Sequence, residues 1–118
     1  MNKSINLDGV ISKNWKKEQS NEVSPNIFEQ VVWEGADGKR ALIYQFKADT
    51  VFGFDPHENG PEQIYVISGT FNDGVNDYEE GSFIYNPKGT AHIPQSKAGC
   101  TVLVLFPEGW YVIMLKNI

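Results

Sequence analysis

Cysteine is nearly absent from this chain of 118 residues: Cys100 stands alone, so no disulfide can form within it. Its place before the apolar run "TVLVLF" suits a small packed hydrophobe. Positive charge is also scarce. Ten Lys and Arg face fifteen Asp and Glu, for a formal net charge of −5. Nucleic acids and anionic membrane surfaces reward clustered cations, so neither is an expected partner. The short basic stretch "KNWKK", Lys13 to Lys17, reads as a solvated segment. No run approaches the roughly 18 apolar residues of a membrane span. The opening "MNKSINLDGV" has no apolar core of a signal peptide. A cytoplasmic protein is the expectation.

Helical periodicity is missing as well. Gly and Pro recur at short intervals, and runs rich in Val, Ile, Phe and Tyr lie between them. "NIFEQVVWEG" reads as a strand, "ADGK" as a hairpin turn and "RALIYQFKA" as the returning strand. That return sets Leu42, Tyr44 and Phe46 on one face, with Ala41, Ile43 and Gln45 on the other. "EQIYVISGTF", "GSFIYNP", "AHIPQ", "CTVLVLF" and "WYVIML" supply further strands. Short strands with regular turn signals predict an all-β sandwich or barrel. With 41% hydrophobic and 13% aromatic residues the chain can bury a core. The reading is one domain, residues 1–118. Residues 1–25 form a covering arm with a short strand around "INLDGVI", and residues 26–118 form the barrel. Phe52, Phe54, Phe83, Tyr85, Phe106 and Trp110 are read mostly as core aromatics.

What is present is a sparse but ordered set of metal-ligand residue types. The chain has two histidines, His57 in "FDPHENGPEQ" and His92 in "NPKGTAHIPQ". Asp55 and His57 are two apart, so a strand puts them on one face. A reversal at "ENGP" brings Glu62 beside them as a hairpin partner. A turn at Pro87-Lys88-Gly89 returns His92 toward the same place. Asp55, His57, Glu62 and His92 are therefore the candidate metal ligands. Such a nitrogen and oxygen set suits Fe, Mn, Ni or Zn as a divalent ion, and copper less. No nucleophile accompanies either histidine, and no glycine-rich nucleotide loop is present. No catalytic residue is assigned.

These spacings resemble the cupin motifs. His57, four residues, Glu62, six residues and Gly69 fit the second half of the first motif, G-x5-H-x-H-x3–4-E-x6-G. Gly81, Pro87, Gly89 and His92 fit the second, G-x5-P-x-G-x2-H-x3-N, with Ser96 in place of the final Asn. Asp55 stands where the first motif histidine would be, and Asp49 where its upstream glycine would be. The resemblance covers roughly residues 40–106. It is most similar to the ChrR-type cupins, which include zinc-binding anti-sigma domains and small acetylacetone-dioxygenase-like proteins. The resemblance implies a double-stranded β-helix, or jelly-roll barrel, usually paired into a homodimer. It implies a divalent metal and a small-molecule ligand. Two functions follow from it: a non-haem dioxygenase for a diketone- or enol-like compound, or a non-catalytic sensing module with a structural metal. Tyr65 and Ile67 oppose Glu62, Ile64 and Val66, so one strand is apolar on both faces. The second face would be covered by the arm or by another subunit.

Overall fold

A computed structural model describes residues 3–109; the segment "WYVIML" and Trp110, read above as a last strand, lie outside the described residues. Among the described residues eleven strands follow in order: β1 (Asn21–Ser24), β2 (Ile27–Glu34), β3 (Arg40–Phe46), β4 (Thr50–Val51), β5 (Asp55–Pro56), β6 (Glu62–Asn72), β7 (Asp77–Glu79), β8 (Phe83–Asn86), β9 (Ala91–His92), β10 (Gln95–Ser96) and β11 (Cys100–Phe106). All pairings are antiparallel. The larger sheet runs β1-β2-β3-β11-β6-β10-β4, with β7 and β8 also on β6, and β5 pairs with β9 in a second, two-stranded sheet. The result is an all-β curled sheet of the jelly-roll kind.

The curl comes from β6. Its first half pairs with β8 and β11, and its second half with β7 and β10. The chain bends between them at Gly69, with φ of +76°. There the register with β11 slips between Thr101 and Val102, so the bend is a bulge. A Cβ on Gly69 would meet the Gly99 carbonyl oxygen at 2.1 Å, so only glycine fits.

The concave face holds the core. Cys100, Val102, Val104 and Phe106 alternate inward along β11. They meet Ile27, Leu42, Phe46, Ile64, Val66, Phe71 and Ile84. Phe46 and Phe71 pack edge to face with centroids 5.9 Å apart. Cys100 is buried among these apolar side chains, as read from the sequence.

Three local readings need correction. Of the aromatics assigned to the core, Phe106 is buried, but Phe52, Phe54, Phe83 and Tyr85 are exposed. Phe83 and Tyr85 flank buried Ile84 on β8, so the pleat turns them to the outer face. No strand forms around Ile5–Ile11. Those residues are exposed, because no neighbouring strand offers them a ladder, and the first strand starts at Asn21. The arm is anchored later, where the Gln30 side-chain amide donates to the carbonyls of Trp15 and Glu18. Finally, Asp55 is not in a hairpin with Glu62. β5 pairs instead with β9, which sets Asp55 directly opposite His92.

Candidate metal centre

That β5–β9 pairing builds one wall of a cluster. Asp55 and His92 are register partners, and His92 Nε2 lies 3.1 Å from Asp55 Oδ2. His57 follows β5 directly, its backbone N–H bonded to the Thr90 carbonyl. Glu62 opens β6 on the inward face, beside Asn86 of β8. His57 Nε2 stands 3.0 Å from Glu62 Oε1 and 3.6 Å from Asp55 Oδ2, and His92 Nε2 is 3.5 Å from Glu62 Oε1. The two imidazole centroids are 4.5 Å apart. One ligand atom from each of Asp55, His57, Glu62 and His92 falls within 4.8 Å of the others. All four sequence candidates thus meet at one point.

The hydrogen bonds around the cluster fit a cation. The Thr90 hydroxyl donates to the Pro87 carbonyl at 2.6 Å, which leaves its oxygen to accept from Nδ1 of His57 at 3.0 Å. His57 is then protonated at Nδ1, and its Nε2 lone pair faces two carboxylates. That Nε2 is buried and makes no aligned hydrogen bond. A lone pair packed against carboxylate oxygens is repulsive unless a proton or a metal ion lies between them. Without metal a proton does so. Burial works against a charged His57, but Asp55 and Glu62 beside it prevail and lift its pKa to about 9. Burial likewise works against ionised Asp55, yet His57 and His92 draw its pKa down to about 2. The Asn86 side-chain amide donates to Glu62 Oε1 at 3.3 Å and steadies the carboxylate. Two carboxylates against a divalent ion give a neutral centre, and two neutral imidazoles complete it.

Thr90 and Asn86 were not singled out in the sequence. Thr90 lies inside the motif spacing between Gly89 and His92, so the signal for it was position alone. The cluster opens into a cavity of about 340 Å³. Its walls include Phe46, Ile64, Phe71, Val102 and Val104, with Phe52 and Pro94 also in the lining. Ser96, in the last motif slot, is buried; its hydroxyl donates to the Thr70 carbonyl at 2.6 Å and accepts from the Gly99 amide. It braces β10 and is not part of the cluster.

A family profile for ChrR cupin-like domains matches residues 14–111. The chain belongs to this ChrR cupin-like family. No curated protein matches it in sequence. Among solved structures, it is similar to the Rhodobacter sphaeroides SigE complex with the anti-sigma ChrR, at 14% identity and TM-score 0.69. That match covers 79% of this chain and 50% of the other, so this chain spans half the length of its counterpart. The polyketide cyclase RemF of Streptomyces resistomycificus gives 17% identity and TM-score 0.73 over 84% of this chain and 80% of the other. An acetylacetone dioxygenase from Acinetobacter johnsonii gives 13% and 0.71 over 91% and 78%. At these identities the likeness carries the fold alone. The cupin barrel is therefore shared, and it holds a His/Glu/Asp cluster able to take a metal ion. Among the described residues no helix is long and apolar enough to cross a membrane.

Proposed function

We propose that this cupin holds a divalent Fe, Mn, Ni or Zn ion through His57, His92, Glu62 and Asp55, and acts as a non-haem dioxygenase on a small diketone- or enol-like molecule. The observation that carries the reading is the single cavity shared by the cluster and an apolar wall. A bound divalent ion would supply Lewis acidity toward the substrate oxygens and a place for O₂ to bind. The chain's own residues do the rest. Thr90 fixes the His57 tautomer, Asn86 orients Glu62, and Ile64, Val102 and Val104 exclude water from the bound compound. Asp55 is the most exposed of the four side chains, at 29% against 7% or less, so its place in the cluster is the one most open to water.

The test is metal analysis of protein purified without an affinity tag, followed by oxygen uptake with β-diketones. Stoichiometric metal with diketone-dependent uptake supports the reading; uptake no faster than with free metal overturns it. The family match favours a second reading, a sensing module in which the metal is structural. Tight metal with no turnover, and a ligand-dependent shift in melting, would select it.

We also read the protein as a cytoplasmic homodimer. The single cysteine is in keeping with a reducing compartment. The outer face supports self-association: Tyr65 and Phe83 are register partners on β6 and β8, and both are exposed beside Tyr85. Contiguous exposed apolar area of this kind marks interfaces. A second copy brings the same face, together with the exposed Ile5, Leu7, Val10 and Ile11 of its arm.

A further inference from the structure

A series of rings lines the cavity and ends on the two histidines of the cluster. Tyr44 and Phe46 have centroids 6.5 Å apart, Phe46 and Phe71 5.9 Å, Phe71 and His92 6.3 Å, and His92 and His57 4.5 Å. All five line the same space. Phe46 alternates with Tyr44 on the inward face of β3, and Phe71 stands just past the Gly69 bend of β6. A third phenyl ring, Phe52, joins the lining, its backbone N–H bonded to the Pro94 carbonyl at 2.8 Å. Ile64 follows Glu62 on the same face of β6. The walls nearest the cluster are thus apolar, and mostly aromatic. Polar lining comes from Glu29 of β2 and from Arg40 and Tyr44 of β3. The Tyr44 hydroxyl already donates to Glu29 Oε2, and Arg40 is likewise not free.

We propose that Phe71, Phe46 and Phe52 recognise an aromatic substituent carried on the chelating head, so that the site selects aryl-substituted oxygen chelators over compact ones. This rests on the reading that the chelating end engages a metal at the cluster, and it names what the rest of the molecule is. Size is the first argument. A cavity of about 340 Å³ has room for roughly eleven water molecules at about 30 Å³ each. A head with only methyl ends would leave much of that space to water lying against phenyl and aliphatic walls, which cannot hydrogen-bond it. The second argument is the kind of wall. A substituent on the head meets Ile64 and the rings beside His92 before it reaches β2. Burying it there gains in proportion to its apolar area. An aromatic substituent gains more than an aliphatic one of the same size, because ring edges and faces attract one another. A carboxylate tail finds no free donor in the lining, since the Tyr44 proton is spent on Glu29 and Arg40 is engaged.

Three hydroxamic acids with one oxygen-chelating head test this: acetohydroxamic acid with a methyl, cyclohexanecarbohydroxamic acid with a saturated ring and benzohydroxamic acid with a phenyl. Affinities are measured by calorimetry on the full chain, zinc-loaded and chelator-stripped, with zinc content checked after each titration. The phenyl compound is expected to bind about tenfold or more tightly than the methyl one, the gain of its buried apolar area. It should also bind about threefold or more tightly than the cyclohexyl compound, the share that belongs to ring pairing. Phe52 is 39% exposed, so Phe52→Leu leaves the core intact. In that variant and in Phe71→Leu, with melting checked, the phenyl-to-cyclohexyl ratio should fall toward one. Equal binding of the phenyl and methyl compounds, a cyclohexyl compound as tight as the phenyl one, or a ratio that both variants leave intact overturns the proposal. So does absence of binding by all three. A methyl-compound affinity indifferent to zinc removal overturns the metal-chelate reading instead, and leaves the phenyl-to-cyclohexyl ratio to judge the rings separately.

Discussion

Thr90 Oγ1 lies 3.0 Å from Nδ1 of His57 and gives its own proton to the Pro87 carbonyl, so it fixes which imidazole nitrogen faces the cluster. Thr90→Val keeps the shape and removes the acceptor. Outer partners of this kind are worth about 10–100-fold in metal affinity. A competition titration against a chromogenic chelator should show a loss in that range. Unchanged affinity would mean that the tautomer is set elsewhere.

His92 and Asp55 face each other across β5 and β9 but differ in depth, with side-chain exposures of 7% and 29%. His92→Ala should abolish stoichiometric metal, while Asp55→Ala should only weaken it, because water can take a position near the opening. In the wild type, metal at a hundredfold excess over Kd adds about 2.7 kcal/mol and raises Tm by about 10 °C. Thermal melting with and without chelator checks this. Equal melting of wild type and His92→Ala in both conditions would refute it.

Gly69, at the bend of β6, is expected to tolerate no side chain. Gly69→Ala places a methyl 2.1 Å from the Gly99 carbonyl oxygen at a positive φ. The loss should be at least about 2 kcal/mol, from strain and displaced backbone together. Urea midpoints at equal m-values give the number.

Asp73 is expected to contribute acid sensitivity away from the His/Glu/Asp cluster. Burial disfavours its charge slightly, but the amides of Asn76 and Val75 and the Tyr78 hydroxyl outweigh that and lower its pKa below the usual 3.8. A carboxylate with a depressed folded pKa contributes stability above its unfolded value, and this is lost as pH falls through the folded one. Asp73→Asn should therefore be less stable than wild type at neutral pH. The gap should close as pH drops past 3.8. A gap constant down to lower pH would contradict the assignment.

The exposed pair Tyr65 and Phe83 should control assembly. Light scattering is expected to report a dimer for wild type and a monomer for Tyr65→Lys with Phe83→Glu, both folded by circular dichroism. A monomeric wild type at high concentration would remove the dimer.

Much of this was readable in advance because turn and ligand residues sit at fixed offsets. Gly81, Pro87, Gly89 and His92 mark one β8–β9 return, and their spacing carries its geometry. What pairs with what was less legible. β5 is two residues long, and its choice of β9 over β6 depends on contacts distant in sequence. Strand parity correctly grouped Leu42, Tyr44 and Phe46, yet parity alone does not say which face turns inward. For β8 only the pairing of Ile84 with Ile64 decides that, and it sends Phe83 and Tyr85 outward. Glu29 and Arg40 come from different strands with no spacing signal, so their meeting at the cavity could not be read from the chain.

Asp55 and His92 lie 37 residues apart in sequence, and a metal between them would tie off the whole segment from β5 to β9. In a chain with one cysteine, that ion is the available reversible cross-link. Loop-closure entropy for such a span is about 4 kcal/mol in the disulfide approximation. Stripping the ion would then loosen β5 and β9, which form their own two-stranded sheet, before the rest of the barrel. The first cuts by a nonspecific protease should fall beside Asp55–His57 and Ala91–His92, and added metal should erase them.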